Sequence, residues 1–506
     1  TMGQSFINDN DTKIGEKYLV NRLKEEVGYD VLYTEDESGK RQKRITKRSV
    51  IPIEDILFDY ISFKHPEFQR VDKCMRELKI FVINGKFHWN EHDVYPRKVG
   101  EIKNLKGEVR KLPKGDEKDR LKSKLDKLQE KYADHKITAD VDGFEFEFGK
   151  GGLHGTQRGV VKYTNAERLI IDLDVTSYYP SLGIVNEMYP EHLTKAFCPI
   201  YESVRNMRKQ YAKGTPENAM LKLSLNGTYG KTNSKYSVFC DPKYTIATTI
   251  NGQLLLCMLW EWLMDIPNTE ILQANTDGIT IQIDKTKKVK SLVKKVCRKW
   301  EKLTGLQLES AVYSRMWIRD GNNYIAEYIN GGLKQKGAYL YKSLFHDKDM
   351  DTNGVEWNKN HSMLVVQKAV EAELVHGIQA SRFIIEHEDI YDFFLCTNVN
   401  RSSRLFIGDG IIPAVKKKGK MVAPAELGPL NREIQRNSRY IISNSDEVLT
   451  KEMNPLKGQS HMRYIGINVG YNVSVYNNVE SDKASDYDIN YSFYIEEAEK
   501  LLKPFR

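Results

Sequence analysis

An aliphatic run, Leu169-Ile-Ile-Asp-Leu-Asp-Val175, breaks directly into Thr176-Ser-Tyr-Tyr-Pro-Ser181. It reads as an apolar strand with Asp174 at its end, where a carboxylate is free to bind a cation. Alone, an aspartate after a strand more often caps a helix or fills a turn. A second pattern lies in Glu270-Ile-Leu-Gln-Ala-Asn-Thr-Asp-Gly-Ile-Thr-Ile-Gln-Ile283, where Ile279, Ile281 and Ile283 alternate and Asp277-Gly278 is a hairpin-turn dipeptide. The expectation is a β-hairpin with Asp277 at its tip, although an ordinary Asp-Gly turn has the same signature.

Between these two lies Lys222-Leu-Ser-Leu-Asn226-Gly-Thr-Tyr229-Gly230. Helical spacing puts Lys222, Asn226 and Tyr229 on one face, so a cation, an amide and an aromatic ring project together. Arg205, Arg208, Lys209 and Lys213 form a second basic helical segment just before it. Taken singly, such a stripe reads as solvated surface. Together, the three segments hold what phosphoryl transfer to a growing chain requires: carboxylates from separate strands for two divalent ions, and cations for a triphosphate.

A chain of 506 residues exceeds one ordinary core and implies several packed units. Its formal charge of +8 leans toward a polyanionic partner without demanding one. The six cysteines, at 74, 198, 240, 257, 297 and 396, form no Cys-x-x-Cys pair and suit a reducing compartment. Leu254-Leu-Leu-Cys-Met-Leu-Trp260 is far short of the roughly 20 residues a membrane span needs, so no membrane association is expected. Thr1-Met2-Gly3 opens no signal peptide and is read as including a cloning scar.

Residues 1–150 read as an N-terminal region of mixed helix and strand, with Glu54–Ile61 as an amphipathic helical turn. From about 97 to 136 the composition becomes highly charged, with Leu121, Leu125 and Leu128 at one-face spacing. This is a solvated helical protrusion or an arm that contacts DNA. Strands dominate 151–345, and helices are expected to resume after about 346, beginning with Ser362–His376 and stopping at Gly377. The segment Lys416-Lys-Lys-Gly-Lys420 reads as a basic loop.

The three segments closely resemble, in order, the polymerase motifs of family B DNA polymerases, notably those of bacteriophages. The family patterns are Asp-x-x-Ser-Leu-Tyr-Pro-Ser, Lys-x-x-x-Asn-Ser-x-Tyr-Gly and Tyr-x-Asp-Thr-Asp-Ser. Here they correspond to Asp174 to Ser181, Lys222 to Gly230 and Gln273 to Gly278. Gly151-Gly-Leu-His-Gly155 resembles the glycine motif ahead of the palm. Asn322-Asn-Tyr324 and Lys334-Gln-Lys-Gly337 fall where primer contacts lie in the family. The chain departs from the patterns at Gln273, Asn275, Gly278, Gly227 and Asn322. Only 41 positions separate Ser181 from Lys222, which leaves no room for the insertion that protein-primed relatives carry. No exonuclease motif is recognised before residue 150, and Asp140-Val-Asp142 reads as a surface turn. Phe6 to Leu23 resembles the segment that follows an exonuclease domain, so such a domain is expected to be truncated or separately encoded.

The resemblance implies an α+β, right-hand architecture: palm at 151–198 and 231–345, short helical fingers at 199–230, and a mostly helical thumb with the C-terminal region at 346–506. It implies a DNA-directed DNA polymerase acting on primer–template DNA and deoxynucleotides, a monomer in the cytoplasm of an infected bacterium. The rival readings are a catalytically silent, nucleic-acid-binding or scaffolding subunit and an RNA-synthesising or primase-like palm enzyme, for which a tyrosine at the sugar position would be awkward. Asp174 and Asp277, with the backbone carbonyl of Val175, would hold two Mg²⁺, or Mn²⁺ as substitute. Ser177, Tyr178, Tyr179, Arg205, Arg208, Lys209, Lys222, Asn226 and Tyr229 would bind the nucleotide, with Lys222 also a proton donor to pyrophosphate. Gly151, Gly152, Gly230, Asn275, Thr276, Tyr324, Lys334 and Lys336 would contact DNA. Asp172, on the same strand face as Asp174, is read as structural or as a support behind the metal ligands.

Overall fold

The computed structural model describes residues 11–83, 85–89, 104–110, 112, 116–131, 137–212, 215–341, 362–417, 420–456 and 459–506. The chain divides into two compact units, one of residues 1–321 and 326–333, the other of residues 322–325 and 334–506. Both are mixed helix and antiparallel sheet, in agreement with the α+β expectation.

The first unit opens with α1 (Asp11–Val27) and is built on a sheet of β1 (Ile137–Val141), β2 (Phe144–Phe148), β3 (Leu153–Thr156), β4 (Val160–Tyr163) and β5 (Arg168–Val175). Then come α2 (Tyr178–Val185), α3 (Phe197–Lys209), α4 (Pro216–Gly230) and α5 (Pro242–Met264). β6 (Glu270–Asn275), β7 (Gly278–Asp284), α6 (Lys287–Thr304) and β8 (Leu308–Asp320) follow. The strands run β8-β5-β7-β6-β3-β2-β1, with β4 also paired to β8. All are antiparallel to their neighbours.

Side chains alternate across a strand, so β5 presents two different faces. Leu169, Ile171, Leu173 and Val175 join the aliphatic core with α5 and α6. Asp172 and Asp174 occupy the opposite face. Asp172 is buried, and Thr280 Oγ1 and Tyr313 Oη donate to its two oxygens at 2.6 and 2.5 Å. Both acceptor atoms are thereby engaged in holding neighbouring strands, as the structural reading of this residue requires.

Helix α5 is buried nearly all round, as a helix apolar on every face must be. Its polar residues are satisfied: Asn251 Nδ2 donates to the Ile56 carbonyl at 2.6 Å, and Glu261 accepts from the Lys64 and His65 amides, each at 2.8 Å. These bonds anchor residues 56–65, ahead of the helix Pro66–Glu77; of the expected helical turn Glu54–Ile61, only Glu54–Ile56 is helical, as one 3₁₀ turn. Among the described residues, no helix is long and apolar enough to cross a membrane. The six cysteines are free. In the charged segment, residues 104–110 and Asp116–Lys131 are helical and Leu125 is buried, whereas the Leu128 side chain lies outside the described residues. Asp142 and Gly143 form the turn between β1 and β2, with φ of 53° and 82°, and Asp140 Oδ1 accepts from the Gly143 amide.

The second unit contains α7 (Leu364–His376), whose stop is Gly377 at φ 72°, and α8 (Ala380–Glu386). The expectation of a mostly helical C-terminal region is corrected beyond this point. Strands dominate residues 395–475, in three- and four-stranded antiparallel sheets, before α9 (Tyr491–Leu502) closes the chain. Short strands such as Arg404–Gly408 and Val448–Met453 pair across 40 to 48 residues, and nothing local announces that pairing. Lys416 and Lys417 belong to a strand, Val415–Lys417, paired with Lys420–Ala423, rather than to a loop; residues 418 and 419 lie outside the described residues.

A candidate active site at two strand ends

The strand pairing brings the two aspartates together. Asp174, next to the last residue of β5, lies directly opposite Gly278 on β7, and the Val175 amide donates to the Asp277 carbonyl at 2.8 Å. Asp277 sits in the turn between β6 and β7. The turn residues are Thr276 and Asp277, flanked by the pair Asn275 and Gly278, and none of the four has positive φ. The Asp-Gly dipeptide is therefore one residue out of the turn register expected from sequence. Gly278 serves space instead: a Cβ there would lie 2.2 Å from Asp174 Oδ1, 2.6 Å from the Leu173 carbonyl oxygen and 2.9 Å from Asp174 Cα.

A pocket of about 670 Å³ opens beside these strand ends. Val175, Thr176 and Asp277 contribute one side of it, and the turn into α2 contributes Ser177, Tyr178 and Tyr179. Ser177 is left-handed, at φ 47° and ψ 53°, a conformation that costs a non-glycine residue about 1–2 kcal/mol. Its carbonyl accepts from the Ser181 amide at 2.8 Å, and its hydroxyl accepts from Arg208 Nη1 at 2.6 Å. Tyr178 is buried and donates to the Gly252 carbonyl at 2.6 Å. Tyr179 donates to the Gly151 carbonyl at 2.7 Å, and its ring lies 4.6 Å, centroid to centroid, from that of Tyr229. Burial first, then the neighbouring Tyr229 and Asp277, push the Tyr179 hydroxyl well above its ordinary value, so it stays a neutral donor.

Helix α4 supplies the far wall. Thr215 caps it, accepting from the Asn218 amide at 3.3 Å, and Pro216 occupies its first turn, where a missing N–H costs nothing. Lys222, Asn226 and Tyr229 line the pocket together, as their spacing implies. Helix α1 braces α4 from behind: a Cβ on Gly15 would lie 2.1 Å from Ser224 Oγ, and Lys231 pairs with Glu16 at 2.5 Å.

Of the three basic residues proposed on α3, Arg208 reaches the pocket. Burial lowers its pKa, and the nearby Glu309 acts in the opposite direction. Arg208 Nε donates to Asn218 Oδ1 at 3.3 Å, and Asn218 in turn donates to the Tyr211 carbonyl at 2.8 Å. Arg205 and Lys209 do not line the pocket; Arg205 instead pairs with Glu202 at 2.8 Å. Gly152 packs against the Thr276 side chain, where a Cβ would come within 2.8 Å of Cγ2. Asn275 and Gly230 stay outside the pocket lining. Tyr324, Lys334 and Lys336 belong to the second unit, and the Tyr324 side chain is buried, so its ring is not offered at a surface.

Sequence reasoning missed Glu309, the residue paired with Asp174 on the other neighbouring strand; it lines the pocket with Asp277, whereas Asp174 itself stays outside the lining. No motif marks Glu309; only the register of β5 with β8 places it there. It also missed Asn218 as the residue that holds Arg208.

No family model matches the chain, and no curated protein does. Among solved structures, the family B DNA polymerase of the hyperthermophilic archaeon Pyrobaculum calidifontis is similar at 14% identity and a TM-score of 0.36, over 68% of this chain and 45% of that chain. The chain thus spans less than half the length of that polymerase. A likeness of this degree does not bear on the chemistry, for which the local geometry stands alone.

Proposed function

We propose that the chain is a template-directed DNA polymerase that adds deoxynucleotides to a primer 3′-hydroxyl. The observation behind this reading is the convergence on one pocket of Asp277, Val175 at the end of the Asp174 strand, the Lys222–Asn226–Tyr229 face of α4, Arg208 and Tyr179, with Asp174 opposite Gly278 just outside the lining.

The donor set suits a hard divalent cation such as Mg²⁺, which takes oxygen ligands. Asp277 is exposed, and among the described residues no side chain bonds or pairs with its carboxylate. Asp174 lies across the glycine from it, and Asp174, Asp277 and the Val175 carbonyl are the ligands we assign. When bound, two such ions would supply charge at the attacking hydroxyl and at the leaving pyrophosphate.

The remaining roles belong to the chain's own side chains. Lys222 and Arg208 bind the triphosphate, with Arg208 held in place by Ser177 and Asn218. Lys222 carries protons that pyrophosphate can take. Asn226 and Tyr229 pack beneath the nascent base pair. The Tyr179 ring, fixed by its bond to Gly151 and by Tyr229, occupies the space a 2′-hydroxyl would need.

Primer extension tests this proposal. The purified chain, given a labelled primer–template, four deoxynucleotides and Mg²⁺, should lengthen the primer to the template end. A folded chain that binds the duplex without extending it would instead be the silent nucleic-acid-binding subunit.

A further inference from the structure

A second groove, of about 550 Å³, lies on the other face of the first unit's sheet, between α6 and strands β5 and β8. Its floor includes Leu169, Ile171 and Leu173, the β5 residues that alternate with Asp172 and Asp174 and so point away from the candidate active site. Val293 of α6 completes the floor, and Ile329, 65% exposed, stands at its edge.

The rim is strongly basic. Lys290, Lys294 and Arg298 recur every four residues on α6 and all line the groove. Among the described residues none of the three has a hydrogen-bond or ion-pair partner. Like charges at this spacing repel one another along the helix. The one acid in the lining, Glu301, is occupied in accepting from the Leu308 amide at 2.8 Å.

We propose that this groove docks a short acidic segment with aliphatic anchors, carried by a partner protein. Charge complementarity selects acids for the rim, and the aliphatic floor selects leucine- or valine-like side chains for the interior. Lys290 to Arg298 spans about 12 Å of helix. An extended peptide covers that distance with about four residues. Alternating acid and aliphatic residues in an extended segment would satisfy rim and floor together. A nucleic-acid backbone satisfies only the rim and leaves the aliphatic floor unfilled. A fatty acid brings one carboxylate to four cations, Lys285 included.

The test uses the full chain and a fluorescent five-residue peptide alternating aspartate with leucine, read by anisotropy. Binding should be saturable, should weaken with salt, and should fall at least about tenfold, or 1.4 kcal/mol, in Lys294→Glu/Arg298→Glu. Lys288→Glu, on the same helix but outside the groove, should change binding less than twofold. Location is read separately from Cys297, which lines the groove and whose thiol burial pushes up to about 11. A chloroacetamide version of the peptide should alkylate Cys297, losing chloride as the carbon–sulfur bond forms, and unlabelled peptide should block the reaction. Equal binding of an asparagine-for-aspartate peptide, undiminished binding by a folded double variant, or alkylation confined to other cysteines would overturn the proposal. So would better protection of Cys297 by duplex DNA than by peptide, which would make the groove a nucleic-acid surface.

Discussion

Among the glycines of the candidate active site, Gly278 is the one at which an added Cβ comes closest to its neighbours. In Gly278→Ala the new methyl would meet Asp174 Oδ1 at 2.2 Å, which a side-chain rotation could relieve. It would also meet the Leu173 carbonyl at 2.6 Å and Asp174 Cα at 2.9 Å, which only movement of the β5 backbone could relieve. Overpacking of this kind costs about 1–3 kcal/mol. The expected fall in Tm is about 2 °C or less per kcal/mol, because the shift shrinks as unfolding entropy grows with size and the first unit exceeds 300 residues. Both ways of relieving the contact move the Asp174 carboxylate, and misplacement of a reacting group by about 1 Å costs on the order of a hundredfold in rate. Gly278→Ser should be at least as harmful, although serine is the residue of the family pattern that this segment resembles. The assay is single-turnover nucleotide incorporation on a preformed primer–template, with DNA affinity and thermal melting measured on the same preparations. A variant that melts normally and incorporates at the parental rate would refute the close approach of the two strands. A lowered Tm with an unchanged rate would refute the role given to Asp174 while leaving the packing intact.

Four further outcomes follow from the same structure. Asp277→Asn should slow incorporation by about 10²–10³-fold or more, whereas Asn275→Ala, outside the pocket lining, should cost far less; equal losses would overturn the assignment. Tyr179→Val should keep deoxynucleotide incorporation and admit ribonucleotides more readily, which competition between the two nucleotide types on one template would measure. Given a mismatched labelled 3′ terminus and Mg²⁺ alone, the chain should not shorten the primer, and progressive shortening would reveal an unrecognised exonuclease site. In the second unit, burial favours the neutral form of the Asp392 carboxyl, but His387 and Lys368 outweigh it and hold the pKa below 3.8. Its contribution to stability is therefore present above about pH 4 and lost as pH falls through the lower folded value. Urea melts at pH 7 and pH 3 should show a larger loss in the parent than in Asp392→Asn.

The parts of the molecule legible in the sequence are those in which local pattern and burial coincide. The β5 run is aliphatic because both its faces are largely covered, and it reads as a strand without knowledge of its neighbours. Lys222, Asn226 and Tyr229 needed only the helical period, and Gly377 only the left-handed stop. Glu309 was invisible because its place depends on register: one residue of slip between β5 and β8 would turn it from the Asp174 face to the other. The strands after residue 395 failed for a related reason. Arg404 and Glu452 pair at 2.6 Å across two strands that neither periodicity nor turn chemistry connects in sequence.

Two Asp-Gly dipeptides show how far local chemistry carries. Asp142-Gly143 takes positive φ at both positions and turns β1 into β2, the backbone such a dipeptide favours in a two-residue hairpin. Asp277-Gly278 has the same letters between alternating apolar residues, yet its glycine is already in the strand and its φ is not positive. The difference lies outside the dipeptide. No strand residue competes with Gly143 for space, and a Cβ there would meet nothing within 4 Å. Gly278 faces a carboxylate across the β5–β7 pair, so the glycine is required by Asp174 rather than by the turn. Substitution by a residue that tolerates positive φ separates the two demands: asparagine suits the Gly143 position, whereas at Gly278 any side chain, whatever its φ preference, meets the aspartate.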